Sequence, residues 1–218
     1  MSKKAKVLIV VAAVVFLAMA GMLIYFRTYY RLVRVPSESM ANTIISGDRV
    51  LCDWNVGEIK RGDIVMFKLP TDPKLMYAQR VIGMPGETIQ VKGARVFIDG
   101  NELPEERALV RLTGPREPQS PVVKVEPKPQ DAWYRVFYDV DRYTGGDDFE
   151  INPGLKYGSS EPYKIPSGNY FLLGDSRDNS EDSRYWGTAP RDLIVGKAIM
   201  IFDSSAKVTE NRSFKPLK

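Results

Sequence analysis

The groups able to do chemistry in this chain fall in three short segments. The first is Val35-Pro36-Ser37-Glu38-Ser39-Met40-Ala41-Asn42-Thr43-Ile44, with two serines two residues apart behind a proline. The second is Tyr77-Ala78-Gln79-Arg80-Val81-Ile82-Gly83-Met84-Pro85-Gly86-Glu87. The third, Gly174-Asp175-Ser176-Arg177-Asp178-Asn179-Ser180-Glu181-Asp182-Ser183-Arg184, alternates carboxylates, arginines and serines. A serine hydroxyl becomes a competent nucleophile when a neighbouring group takes its proton. The chain has no histidine, and Cys52 is its single cysteine. That excludes Ser-His-Asp and Cys-His arrangements, zinc sites built from His and Cys, and an intramolecular disulfide. Nucleophilic chemistry here needs a base other than imidazole.

Taken singly, the first segment reads as a polar turn and the second as a strand entering a Pro-Gly turn. The third invites comparison with a calcium loop. It carries Ser180 and Trp186 where such a loop needs glycine and glutamate, and Arg177 and Arg184 would repel a cation. A network in which arginines tie carboxylates into a rigid platform is the better reading.

The elements that must position these groups begin with Val7 to Phe26, 20 residues without a charge. At about 1.5 Å rise per residue they span about 30 Å, the thickness of a hydrocarbon core. A cleaved signal peptide would use Val7 to Leu17 with Ala18-Met19-Ala20 as the cleavage site. The apolar run continues past that point to Phe26, which favours an uncleaved anchor. Lys3, Lys4 and Lys6 balance Arg27, Arg31 and Arg34, so the positive-inside count is a tie. The tight lysine cluster tips it toward an amino terminus inside and a body outside. Twelve residues, Arg27 to Glu38, then lead to Ser39, a reach of at most about 40 Å.

The body reads as short strands at Tyr29–Val35, Arg49–Trp54, Asp63–Leu69, Met76–Met84, Thr88–Lys92, Arg95–Asp99, Tyr170–Gly174 and Ile194–Phe202. Lys92-Gly93-Ala94 marks a hairpin. Residues 101–166 differ, with Pro104, Pro115, Pro118, Pro121, Pro127 and Pro129, the strand-like Trp133–Tyr138, and Gly145-Gly146-Asp147-Asp148. They read as an inserted β subdomain or a long ordered loop. The net charge of +4 is too small to imply nucleic acid, and no nucleic-acid-binding signature is present.

In this order, behind one anchor, the three segments resemble the bacterial type I signal peptidase family of Ser/Lys-dyad endopeptidases. The family pattern runs Pro-Ser-X-Ser-Met-X-Pro-Thr, then Lys-Arg-Val-Ile-Gly-X-Pro-Gly-Asp, then Gly-Asp-Asn-Arg-Asp-Asn-Ser-X-Asp-Ser-Arg. Gly47-Asp48 and Arg61-Gly62-Asp63-Ile64-Val65 also fit it. The resemblance implies Ser39 as nucleophile, with the Ser37 hydroxyl and the Ser39 N–H as oxyanion hole. It implies Ser180 as the serine that orients the base, and Asp175, Arg177, Asp182 and Arg184 as the supporting network. Met40 and Ile82 are expected to line small-residue pockets.

Glu38, Asn42 and Ser176 depart from the pattern tolerably; Gln79 does not. It stands where the family keeps its general-base lysine, and an amide has almost no basicity. Arg80 stays protonated and cannot replace it. Lys68 would share a face with Gln79 if Met66 paired with Gln79, and would lose it on a one-residue slip.

The expected architecture is mainly β: residues 1–6 cytoplasmic, 7–26 a transmembrane helix, and 27–218 a β-rich signal-peptidase-type catalytic domain holding the 101–166 insertion. The implied activity is removal of signal peptides from exported preproteins at the outer face of the bacterial cytoplasmic membrane, without cofactor or metal. The alternative is a non-catalytic membrane-bound paralogue that binds signal peptides or partners an active peptidase.

Overall fold

The computed structural model describes residues 2–111, 122–143, 154–159, 161–204 and 212–217. The apolar run forms one helix, α1 (Lys3–Tyr29), with no buried residue. Its 27 residues measure about 40 Å, long enough to cross a bilayer. Val and Ile would favour strands in water. In lipid the backbone must satisfy itself, and a helix does so within the segment. Ser2 caps the start by accepting from the Ala5 N–H. The helix then passes without a linker into β1 (Tyr30–Arg34), and the Trp54 N–H donates to the Tyr29 carbonyl at 2.6 Å. Residues 27–34 are therefore built into helix and sheet, and residues 35–38 alone lead from β1 to Ser39.

The remaining strands are β2 (Asp48–Asp53), β3 (Ile64–Leu69), β4 (Asp72–Gly83), β5 (Thr88–Lys92), β6 (Arg95–Ile98) and β7 (Asn101–Glu102). They continue with β8 (Glu106–Val110), β9 (Val122–Val125), β10 (Arg135–Asp139), β11 (Tyr163–Lys164) and β12 (Asn169–Leu173). After the short helix α2 (Ser183–Trp186) come β13 (Ala189–Pro190), β14 (Ile194–Ser204) and β15 (Lys215–Pro216). The protein is mainly β, and each of the eight strands read from the sequence falls on an observed one. β4 starts four residues earlier than its Met76 reading.

One large sheet carries the order β1-β2-β14-β3-β4-β12-β13, with β15 pairing β14. Bulges interrupt β14 between Ile194 and Gly196, Ala198 and Met200, and Ile201 and Asp203. Such insertions bend and twist a strand, and the sheet curls enough for β1 and β4, four places apart, to border one groove. β5 and β6 form the hairpin expected at Gly93, whose φ of 53° suits a residue without a side chain.

Within residues 101–166, β8 pairs with β9 and, in parallel, with β10. β7 and β11 extend the sheet of β5 and β6. One apolar cluster joins Leu109, Tyr134, Val136 and Tyr138 to Ile82, Ile89, Phe171 and Leu173. These residues therefore share a core with the chain on either side. Pro115, Pro118, Pro121 and Gly145-Gly146-Asp147-Asp148 lie outside the described residues.

Candidate active site

Ser39 sits in the turn that follows β1. Its Oγ lies 2.9 Å from Ser37 Oγ, and its N–H donates to Ser37 Oγ at 3.3 Å. The turn docks on the third segment, where the Ser176 N–H donates to the Ser39 carbonyl at 3.0 Å. Gly174 lies between them. A Cβ built there would stand 2.2 Å from Ser180 Oγ and 2.4 Å from the Ser39 carbonyl oxygen. The two serine-bearing segments meet at this glycine because it has no side chain. Gly174→Ala should force the backbone of the Ser39 turn away and cost about 1–3 kcal/mol, the usual range for overpacking. Equal melting of the variant and the parent would refute the contact.

Gln79 is fully buried on β4. Its amide nitrogen donates to the Glu181 carbonyl at 2.9 Å and, at a longer 3.4 Å, to Ser180 Oγ. Its Oε1 has no hydrogen-bond partner among the described residues. The β3–β4 register pairs Val65, not Met66, with Gln79. Lys68 therefore projects from the opposite face, and it is exposed. It offers no base to the site.

Three arginines are almost wholly withdrawn from water beneath the two serines, and each has a carboxylate. Arg80 makes a bidentate pair with Asp175 at 2.6 and 2.8 Å, and also donates to the Gly62 carbonyl. Arg184 pairs with Asp182 at 2.7 Å, and Asp182 accepts from the Gly174 N–H. Arg177 forks onto Glu105, which also accepts from the Tyr134 hydroxyl at 2.6 Å. Burial by itself would lower each guanidinium pKa. The attached carboxylates outweigh it, so all three are raised, Arg177 well above its ordinary value. These groups stay charged and cannot accept a proton. For the Tyr134 hydroxyl, burial and then the Glu105 charge both push the pKa well up, so it remains a donor.

Asp175 links this platform to the nucleophile turn. Its Oδ2 accepts from Thr43 Oγ1 at 2.7 Å, and its N–H donates to Met40 Sδ at 3.4 Å. The structure thus gathers Ser37, Ser39, Asp175, Arg177, Asp182, Arg184, Gln79 and Ser180 around Gly174. Met40 and Ile82 do not line the groove beside them. Met40 is fully buried against Val35, Ile44 and Val50, and Ile82 packs with Ile89, Tyr134 and Phe171. Both point into the core because apolar side chains there gain more burial than at a cleft wall. The groove is lined instead by Val33–Ser37, Met66 and Leu75–Ala78, with a volume of about 390 Å³. Apart from Ser37, sequence reasoning missed these residues, and also Glu105, Tyr134 and Thr43; strand patterning is the one local signal for Val33, Met66 and Leu75–Ala78, and the loop residues Glu105 and Thr43 carry none.

Residues 6–203 match the family described as signal peptidase, peptidase S26. The signal peptidase I of Pseudomonas aeruginosa is 31% identical, the match covering 78% of this chain and 64% of that protein. The signal peptidase I of Leptolyngbya laminosa is 32% identical, covering 77% of this chain and 66% of that protein. The chain thus spans about 64% of the length of its Pseudomonas relatives. A crystal structure of a signal peptidase I from Enterococcus faecalis V583 is 24% identical with a TM-score of 0.39, covering 66% of this chain and 98% of that one. With the three motifs brought to one glycine and a family match over nearly the whole sequence, the chain belongs to the signal peptidase, peptidase S26 family.

Proposed function

We propose that this protein seats the signal peptides of exported preproteins in the groove beside Ser37, with Ser39 as the peptidase nucleophile, and that Gln79 holds hydrolysis to a low rate. The observation that carries this reading is a Ser37–Ser39 pair packed against the Ser180 segment, to which the buried Gln79 amide also donates, at the position where the family resemblance expects a base. Ser37 Oγ accepts from the Ser39 N–H and lies 2.9 Å from Ser39 Oγ; the Ser37 hydroxyl and the Ser39 N–H, turned onto a substrate carbonyl, are the proposed oxyanion hole. Ser39 would attack the scissile carbonyl. Gln79 cannot take the Ser39 proton, because an amide has almost no basicity.

Substrate class follows from the groove's walls. The outer edge of β1 is unpaired, and β12 pairs β4 only over Arg80–Gly83, so among the described residues two open strand edges border the cleft. Open edges accept an extended peptide as an added strand, with side chains read by pockets. A cavity of about 390 Å³ shared by several residues suits small side chains, as in Ala-X-Ala. Because α1 runs directly into β1, the groove opens close to the membrane surface, where a signal peptide ends. We place the protein in the bacterial cytoplasmic membrane with its amino terminus inside and the β domain on the outer face.

A synthetic signal peptide ending in Ala-X-Ala and carrying a photoreactive group at its small positions tests this directly. In detergent it should crosslink to residues of β1 and β4, equally well in Ser39→Ala. Crosslinks confined to other surfaces would sink the assignment.

A further inference from the structure

We propose that Arg212 is a positioning residue for the Ser39 turn, and that Arg212–Leu217 acts as a clasp over that turn. These residues lie beyond the matched span 6–203. The catalytic consequence rests on the function proposed above; the structural part does not.

The turn belongs to no strand. It is closed by short-range bonds from the Ala41 N–H to the Glu38 carbonyl at 2.9 Å, and from the Thr43 and Ile44 N–H groups to the Met40 carbonyl at 3.0 and 2.7 Å. Asn42 takes a φ of 68°, in the left-handed region that asparagine tolerates better than most residues but that still strains the chain. Such a conformation persists where its surroundings over-determine it. Arg212 supplies much of that determination. Its guanidinium donates to the Asn42 carbonyl at 3.3 Å and the Thr43 carbonyl at 2.8 Å, and meets Asp48 Oδ2 at 3.1 Å. The same Asp48 oxygen accepts from the Ile45 N–H at 3.0 Å. One buried fork therefore gathers consecutive peptide groups of the turn and the carboxylate at its far end.

The clasp is itself fastened. β15 pairs with β14, the Leu217 N–H donates to the Ile199 carbonyl at 2.9 Å, and Leu217 packs on the cluster of Val35, Met40 and Ile44. On the opposite side the turn is held through Thr43 and Asp175. With Arg212 removed, the side of the turn at residues 42–48 loses its fork while the Ser176 N–H and Asp175 still hold Ser39, Met40 and Thr43, so the turn can tilt about the held side and shift the Ser39 hydroxyl and N–H. A displacement near 1 Å at a reacting group costs about 10²-fold in rate. A lysine cannot replace the arginine fully, because a point charge cannot span the two carbonyls and the carboxylate.

The test uses the full chain in detergent, comparing Arg212→Ala, Arg212→Lys and the neighbouring Lys215→Ala with the parent. Hydrogen exchange read by mass spectrometry should rise at least about tenfold in peptides covering residues 39–48 for Arg212→Ala, less for Arg212→Lys, and not for Lys215→Ala, while β3 and β4 keep their protection. In a Gln79→Lys background, labelling of Ser39 by a phosphonyl fluoride, measured at a temperature where parent and variant are both folded, should fall about 10²-fold in Arg212→Ala. Unchanged exchange at 39–48, or a rise spread over the whole sheet in both Arg212 variants, overturns the clasp. Absence of Ser39 labelling even with Arg212 intact would instead count against the peptidase reading, and the exchange result would still decide the clasp.

Discussion

Gln79→Lys should raise cleavage of an Ala-X-Ala preprotein by about 10²–10⁴ over the parent, the usual contribution of a general base. Where nucleophile and base act as a unit the gain can approach about 10⁶. The site already holds what an amine needs. The Glu181 carbonyl and Ser180 Oγ accept from the Gln79 nitrogen, so they can accept from an ammonium or amine placed there. The substitution also removes Gln79 Oε1, a buried acceptor without a partner among the described residues. An orphaned buried polar group costs about 1–3 kcal/mol, which the new side chain need not carry. Full burial disfavours the charged amine and lowers its folded pKa below the unfolded one. The sign follows: the neutral base is populated as pH rises through that lowered pKa, so activity climbs on the alkaline side. Stability of the variant moves the same way, because below the folded pKa an uncompensated ammonium must be buried or the chain must open. Rates of peptide cleavage from pH 6 to 10, with Ser39→Ala as control, measure this. A parent as fast as Gln79→Lys would mean that some other group takes the proton.

Glu105→Ala should be the most destabilising single change on the platform, costing about 3–5 kcal/mol, the usual result of leaving a buried charge without its partner. Arg177 and Glu105 are both fully withdrawn from water, and the carboxylate also holds the Tyr134 hydroxyl. Tyr134 in turn lies under the Arg80 guanidinium at 4.6 Å. One deletion therefore leaves Arg177 unpaired and Tyr134 unanchored, and loosens a ring that Arg80 rests on. Set against a typical domain stability of about 5–15 kcal/mol, that is a large share. Denaturant unfolding in detergent checks it. A loss below about 1 kcal/mol would show that the buried pair contributes little, as some replaceable ion pairs do.

The anchor, the eight main strands and the order of the three motifs were legible in the sequence because each is a local property. A run of 20 uncharged residues, β-branched stretches between Gly and Pro turns, and serines beside arginines need no knowledge of what packs where. The β3–β4 register was not legible. Ile64 to Phe67 are buried on both faces, so no alternation of polar and apolar residues distinguishes Val65 from Met66 as the partner of Gln79. The burial of Met40 and Ile82 in the core, away from the groove beside Ser37, was not legible for a related reason. Hydrophobicity tells that a side chain avoids water, not whether it avoids it in a core or along a cleft.

By itself, then, the sequence determined the class of fold and an apolar helix long enough to cross a bilayer, and through its family resemblance it led to the expectation of a nucleophile at Ser39 and of an amide at Gln79 where the base would stand. Tertiary structure decided the rest. Glu105 reaches Arg177 across 72 residues and Arg212 reaches Asp48 across 164, and no short pattern records either meeting. Such pairs exist because a charge withdrawn from water must find its opposite wherever the folded chain brings one.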